Sequence, residues 1–172
     1  MSSFADAIKV IMRHEGGWTP DDTGGPTSYG ITLPVLREAG GDLDHDGDID
    51  AADIRLLTEA TAAAIYRAQW WDRYRYWMIS DQHVATKVFD ISVNCGPRTA
   101  HRMLQEALGD VGRPVRVDGI LGIVTASATN TVDPERLVSA LRKRQTHYYH
   151  DIANKHPRLR VNLAGWLNRA TY

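Results

Sequence analysis

Phe4, Ile8 and Ile11 recur at i, i+4 and i+7 in the first segment, and Glu15 is the next member of that series. A carboxyl group on the apolar stripe at a helix end is partly desolvated. Desolvation disfavours the ionised form and suits the group to donate a proton. Seven residues on, Asp22 sits in a run dense in glycine and polar residues, where a carboxylate stays ionised. Two carboxyl groups in contrasting environments are the minimum equipment for glycoside hydrolysis. Thr27 adds a hydroxyl able to orient a water, and Gly24 and Gly25 let the backbone approach a ligand closely. A plainer reading fits the same residues: a surface glutamate at a helix end, followed by a loop.

A second group of carboxylates is local and regular. Asp42-Leu43-Asp44-His45-Asp46-Gly47-Asp48-Ile49-Asp50-Ala51-Ala52-Asp53 matches a twelve-residue calcium loop position by position. Asp42, Asp44 and Asp46 take ligand positions 1, 3 and 5, and Gly47 takes the sharp turn at position 6. Asp48 offers its carbonyl at position 7, Asp50 a water-mediated contact at position 9, and Asp53 closes the loop at position 12. Aspartate at that last position resembles dockerin-type loops. Six carboxylates this close repel one another without a counter-ion. The expected ion is Ca2+, bracing a helix–loop–helix corner as a structural clip. With 4 Met in the chain, nothing indicates the Met-rich groove of a calcium sensor.

The elements that must position these groups read as mainly helical. Ser3 with Asp6 resembles a capping box opening a helix to about His14, stopped by Gly16 and Gly17. Residues 16–31 are too rich in turn formers for a helix and predict a loop or a small hairpin near 18–31. Thr32 is the expected cap of a short helix through Ala39, Thr58 of an Ala-rich helix through about Trp71, and Ser80 of one to about Val93. Pro97 starts another to about Leu108, and Asp133-Pro134-Glu135 a long one toward Asn154. Trp70, Trp71 and Trp77, with Tyr74 and Tyr76, form an aromatic cluster that is mostly core, with a few rings free to line a groove for sugars.

At 172 residues, with 43% hydrophobic and 24% charged residues, the chain is an ordinary folded domain or two small lobes sharing a core. Its single cysteine excludes an internal disulfide and a zinc-finger cluster, and Cys95 reads as core filler. No apolar run approaches the roughly 20 residues that span a bilayer. The net charge of −1 hides an asymmetry: residues 1–84 hold 7 Lys or Arg against 14 Asp or Glu, and residues 85–172 hold 13 against 7. The basic half suits an anionic polymer, or is simply a solvated face. Its basic residues are scattered without a recognition motif, so no nucleic acid is expected as a partner.

The string His14-Glu15-Gly16-Gly17-Trp18, followed by Asp22-Thr23-Gly24-Gly25-Pro26-Thr27-Ser28-Tyr29-Gly30-Ile31-Thr32, resembles the signature of glycoside hydrolase family 108, phage and bacterial N-acetylmuramidases with a lysozyme-like fold. Phe89-Asp90, Val93-Asn94, Gly96-Pro97, Leu104-Gln105, Ala107-Leu108-Gly109, Val117-Asp118-Gly119, Gly122 and Thr125 resemble the peptidoglycan-binding region that ends such proteins. Together the resemblances cover nearly the whole chain. They imply an α+β lysozyme-like fold, with a catalytic lobe over residues 1–80, a helical peptidoglycan-binding lobe over 81–172, and the two packed as one unit. They make Glu15 the catalytic acid, with Asp22 (or the adjacent Asp21) the second carboxylate and Thr27 a partner. Tyr29 would line the cleft or pack in the hairpin, and Trp18 and Asn94 are expected to bind substrate. Pro26 departs from the family pattern, as does the calcium loop.

The activity implied is cleavage between N-acetylmuramic acid and N-acetylglucosamine by a monomeric endolysin. A lytic transglycosylase acting on the same bond is the first rival, although its usual Glu-Ser pair is replaced here by Glu15-Gly16. A non-catalytic, calcium-dependent wall-binding module is the second. The first fifteen residues carry Asp6, Lys9, Arg13 and Glu15 and lack the apolar core of a secretory signal. The expected location is the host cytoplasm until a separate membrane protein opens the way to the wall.

Overall fold

The computed structural model describes residues 1–15, 19–22 and 25–172, with the backbone alone at 19–22 and 25. The first helix, α1 (Phe4–Glu15), seals Ala7, Val10 and Ile11 and leaves Phe4 and Ile8 half-buried. The core-facing side is therefore rotated from the expected 4-8-11 stripe toward a second row through Ala7 and Val10. Ser3 is tied differently from a capping box: its N–H donates to Gln82 Oε1 (2.5 Å) and its carbonyl accepts from Gln82 Nε2 (3.0 Å).

A three-stranded antiparallel sheet follows, in the order β1 (Thr19–Asp22), β2 (Gly25–Ser28) and β3 (Ile31–Thr32). It extends the expected hairpin by one short strand. Because Thr32 ends β3, it flanks α2 (Leu33–Glu38) without a side-chain cap hydrogen bond, contrary to expectation, and Pro34 opens the helix instead. The acidic loop then leads into α3 (Ala51–Leu56).

Thr58 does cap α4 (Glu59–Tyr66), in a reciprocal box with Thr61. The expected α-helix to Trp71 gives way at Arg67 to a π-helical turn, Arg67–Asp72. That change decides which tryptophan goes inside. Buried positions run Ala62, Tyr66, Trp71, a step of four and then of five. Trp71 packs edge-on against Phe4 (5.8 Å), while Trp70 stays half-buried beside Tyr66 (5.4 Å).

Two compact units divide the chain, Phe4–Arg73 and Met1–Ser3 with Tyr74–Tyr172. In the second, a 3-10 turn (Tyr76–Met78) precedes α5 (Gln82–Cys95), α6 (Pro97–Asp110), α7 (Ile123–Thr129), α8 (Pro134–Lys155) and, after another 3-10 turn, α9 (Leu163–Thr171). Asp81 rather than Ser80 caps α5, accepting from Val84 N (2.9 Å) three residues on, and the Ser80 N–H donates to Asn130 Oδ1 (2.8 Å). Asp133 caps α8 as its position predicts.

Helix α5 is buried on every side from Val84 to Ser92, so amphipathic periodicity is lost there. It encloses charge as well as Val88 and Phe89. Asp90 is fully buried and pairs with Arg169 (2.8 Å), and the fully buried Lys87 donates to the carbonyl of Ala170 (3.1 Å). Cys95 donates weakly toward Tyr149 Oη (3.8 Å), and burial pushes its thiol up to about 11, as suits core filler.

Candidate active site

Glu15 closes α1 half-buried, with its Oε1 shielded from solvent. What shapes its surroundings is the turn between β2 and β3. Tyr29 (φ 52°) and Gly30 (φ 72°) are both left-handed, the pattern of a two-residue type I′ turn joining Ser28 to its register partner Ile31. Gly30 is required twice over. Its φ is strained for any other residue, and a Cβ there would fall on the Glu15 carboxylate and 2.7 Å from Tyr66 Oη. Tyr29 occupies a conformation that costs a non-glycine residue on the order of 1 kcal/mol. Tyr66 holds it there by donating its hydroxyl to the Tyr29 carbonyl (3.0 Å).

Glu15, Gly30 and Tyr66 thus converge from α1, the turn and α4. Tyr66 and Gly30 were not singled out as site residues by sequence reasoning. The signal for Gly30 was the Tyr-Gly pair between two short extended runs, whereas that of Tyr66 was hidden in an Ala-rich helix. Thr27 is buried in β2 and stands opposite Thr32, so the two side chains share one face of the sheet. Tyr29 is half-buried at the turn. The backbone of Asp22 pairs with Gly25, but its side chain, like that of Asp21, lies outside the described residues, as does all of Trp18. Asn94 is exposed at the end of α5, with its Oδ1 accepting from Tyr149 Oη (2.7 Å), a hydrogen bond that joins α5 to α8.

The acidic loop folds on itself through carboxylate-to-backbone hydrogen bonds. Gly47 N donates to Asp42 Oδ2 (3.2 Å), Asp46 N to Asp44 Oδ1 (3.2 Å) and Asp48 N to Asp46 Oδ1 (3.0 Å). His45 (φ 63°) and Gly47 (φ 97°) supply the left-handed corners. Carboxylate oxygens of Asp42, Asp44 and Asp46 lie within 4.8 Å of one another, and those of Asp48, Asp50 and Asp53 form a second such group. Asp53 is buried. Its Oδ1 accepts from Leu43 N (2.6 Å) and its Oδ2 from Asp50 N (2.8 Å), which together with the Asp50 cap form a capping box on α3. The Asp50 and Leu43 N–H groups hold the Asp53 carboxyl below its ordinary range. Desolvation and neighbouring carboxylates push Asp44 up, and Asp46 foremost pushes Asp48 up.

In the second unit, Gln105 organises the loop after α6. Its Nε2 donates to Asp118 Oδ1 (2.8 Å), to the Ile120 carbonyl (3.1 Å) and to Thr125 Oγ1 (3.2 Å), and its Oε1 accepts from Gly119 N (2.8 Å). The Leu-Gln and Val-Asp-Gly strings are therefore two halves of one hydrogen-bonded structure.

Residues 8–96 match the sequence profile described as glycosyl hydrolase 108, more than half of the chain. The chain belongs to that family. In this family 108 protein, residues 99–171 match a second profile, described as a predicted peptidoglycan domain. Its fold is similar to the solved structure of Brucella abortus SagA, with a TM-score of 0.73 at 25% identity over 98% of this chain and 93% of that one. No curated protein matches it. The fold is accordingly mainly α and lysozyme-like. The family 108 protein is a glycoside hydrolase with peptidoglycan as its partner. Among the described residues no helix is long and apolar enough to cross a membrane.

Proposed function

We propose that this protein is an N-acetylmuramidase with Glu15 as its general acid. The observation that carries the reading is the convergence of Gly30 and Tyr66 on the Glu15 carboxylate, which leaves one of its oxygens shielded from solvent at the end of α1. Glu15, protonated, gives its proton to the oxygen between N-acetylmuramic acid and N-acetylglucosamine as the bond breaks through an oxocarbenium-like transition state. Asp22, ionised, stabilises that cation or activates a water oriented by Thr27, with Tyr29 and Trp18 as sugar contacts; Asn94, in the other unit, is a separate substrate contact. In this reading the enzyme is an endolysin, held in the host cytoplasm and released to the wall at lysis.

Mass spectrometry of purified peptidoglycan digested by wild type and by Glu15→Gln tests the assignment. Reducing N-acetylmuramic acid ends are expected from the wild type, with a loss of at least a hundredfold in the variant. Anhydro ends would make it a transglycosylase. Equal digestion by the variant would remove Glu15 from the role.

We also propose that residues 42–53 hold one Ca2+ as a structural clip. Asp42 Oδ1 is buried and takes no hydrogen bond among the described residues, so it is an oxygen left for a ligand. The donors are all hard oxygens, which suit calcium. Asp42, Asp44, Asp46, Asp53 and the Asp48 carbonyl would hold the ion. Bound there, it supplies charge neutralisation where the loop enters α3.

A further inference from the structure

The unit of Tyr74–Tyr172 carries a pocket of about 270 Å3 lined by Tyr74, Pro97, Arg98, His101, Asp118 and Ile120. Its floor is rigid. His101 is buried between the Tyr76 hydroxyl (3.0 Å) and the Gly119 carbonyl (3.2 Å). A carbonyl only accepts, so Nδ1 carries the proton and Nε2 accepts from Tyr76. Burial lowers the proton affinity of the ring and keeps it neutral. Tyr74 stands edge-on to it at 5.5 Å.

Two opposite charges enter this pocket without meeting. Asp118 is fixed through Oδ1, which accepts from Gln105 Nε2 (2.8 Å) and Ile120 N (2.9 Å), and the Gln105 and Ile120 donors, with the Arg116 charge, hold its carboxyl below the ordinary range; its Oδ2 takes no hydrogen bond from another described side chain. Arg98 packs its stem on Gly119, where an added Cβ would come 2.8 Å from Arg98 Cγ, and its guanidinium has no ion pair or hydrogen bond among the described residues. Gly119 (φ 79°) is left-handed, so that close approach depends on glycine. Ile120 supplies the apolar wall of the pocket and is 65% exposed.

We infer that this pocket binds the peptide stem of peptidoglycan, with Arg98 receiving a stem carboxylate, Asp118 Oδ2 accepting from an amine or amide N–H, and Ile120 covering the aliphatic part. The inference rests on peptidoglycan being the partner and deepens that reading. A guanidinium without an ion pair and a carboxylate without a salt bridge in one small pocket suit a ligand bearing both kinds of group. The glycan offers hydroxyls and acetamides, its lactyl carboxyl being joined to the stem. The stem carries free carboxylates and, at its diamino acid, an amine. The volume lies just below the ~300 Å3 at which pockets for drug-sized ligands begin, which suits a short peptide end better than a run of sugar rings.

Calorimetric titration with synthetic L-Ala-γ-D-Glu-meso-diaminopimelate tests this, with N-acetylglucosamine tetramer as the glycan arm. The wild type is expected to bind the tripeptide. Arg98→Ala, which removes an exposed side chain, is expected to weaken binding about tenfold or more, with Arg98→Lys restoring part of it. The tripeptide should shift the NMR signals of Tyr74 and Ile120 and leave them shifted in the presence of the tetramer. No binding of the tripeptide, equal binding by Arg98→Ala, or displacement by the tetramer would overturn the proposal. Loss of the pocket with normal digestion products leaves the muramidase reading standing. Arg98-dependent binding with no digestion sinks that reading and spares the pocket.

Discussion

The acidic loop at 42–53 and the charged cluster beneath α9 concentrate charge in opposite ways. The loop gathers six carboxylates and no cation within twelve residues, satisfying them with its own N–H groups and still leaving Asp42 Oδ1 without a hydrogen bond. The cluster places Lys87, Asp90 and Arg169 in the interior and balances them against one another and against α9 carbonyls. A one-sign cluster lacks a counter-charge of its own, whereas a two-sign cluster carries one within the fold. In the reading proposed above, the first is a site for a ligand and the second a device that fastens a helix.

If that contrast is right, the largest effect should come from breaking the self-balanced cluster. Asp90→Ala strands Arg169 and Lys87 as buried cations, and its expected cost is about 3–5 kcal/mol in denaturant unfolding. A cost under 1 kcal/mol would show that the cluster relaxes into solvent. The loop responds to its ligand instead. Calcium at a hundred times its dissociation constant should stabilise the protein by about 2.7 kcal/mol, which a chelator abolishes in a melting experiment. Identical melting curves with calcium and with chelator would remove the clip.

A subtler discriminator is pH. Burial pushes Lys87 down to about 8, against the favourable pull of Asp90. Between that value and the ordinary 10.5 the unfolded chain binds more protons, so Lys87 adds stability as pH rises and loses it as pH falls back through about 8. Cys95, pushed up to about 11, works in the other direction once pH passes 9. The window from 8 to 9 therefore isolates the lysine. Wild-type stability should climb there by up to ~1.4 kcal/mol per pH unit, and Lys87→Met should remove the slope. The smallest effect changes sign: Asp44→Asn should raise the melting temperature slightly in chelator, where it relieves repulsion from Asp46, and lower it in calcium. A shift of the same sign in both conditions would contradict a metal at this loop.

Legibility in the sequence followed the same divide between local and distant causes. The caps at Thr58 and Asp133 were readable because each acts on N–H groups within three residues. Ser80 misled because the adjacent Asp81 is an equally good cap and is the one within reach of Val84 N, while Ser80 N–H is held by Asn130, fifty positions away. Thr32 misled because β3 claims it before α2 begins. The place of Glu15 at the helix end was written in the apolar spacing of α1 and the glycines after it. Its backing was not, since Tyr66 arrives from 37 positions beyond Tyr29, and the π-helical turn follows no period that a sequence announces. The pairing of Gln105 with the loop at 118–120 was present only as two separate strings, because nothing local says that an amide on one helix face will bind a turn.

The fastening of α9 also sets an order of events in time. Lys87 leaves the ribosome 83 residues ahead of Ala170, whose carbonyl receives its ammonium. At synthesis rates of about 5–20 residues per second, the lysine waits roughly 4 to 17 s for that acceptor. Phe4–Arg73 is one continuous stretch and closes on residues already made, whereas the other unit cannot complete the Lys87 contact before α9 has been made.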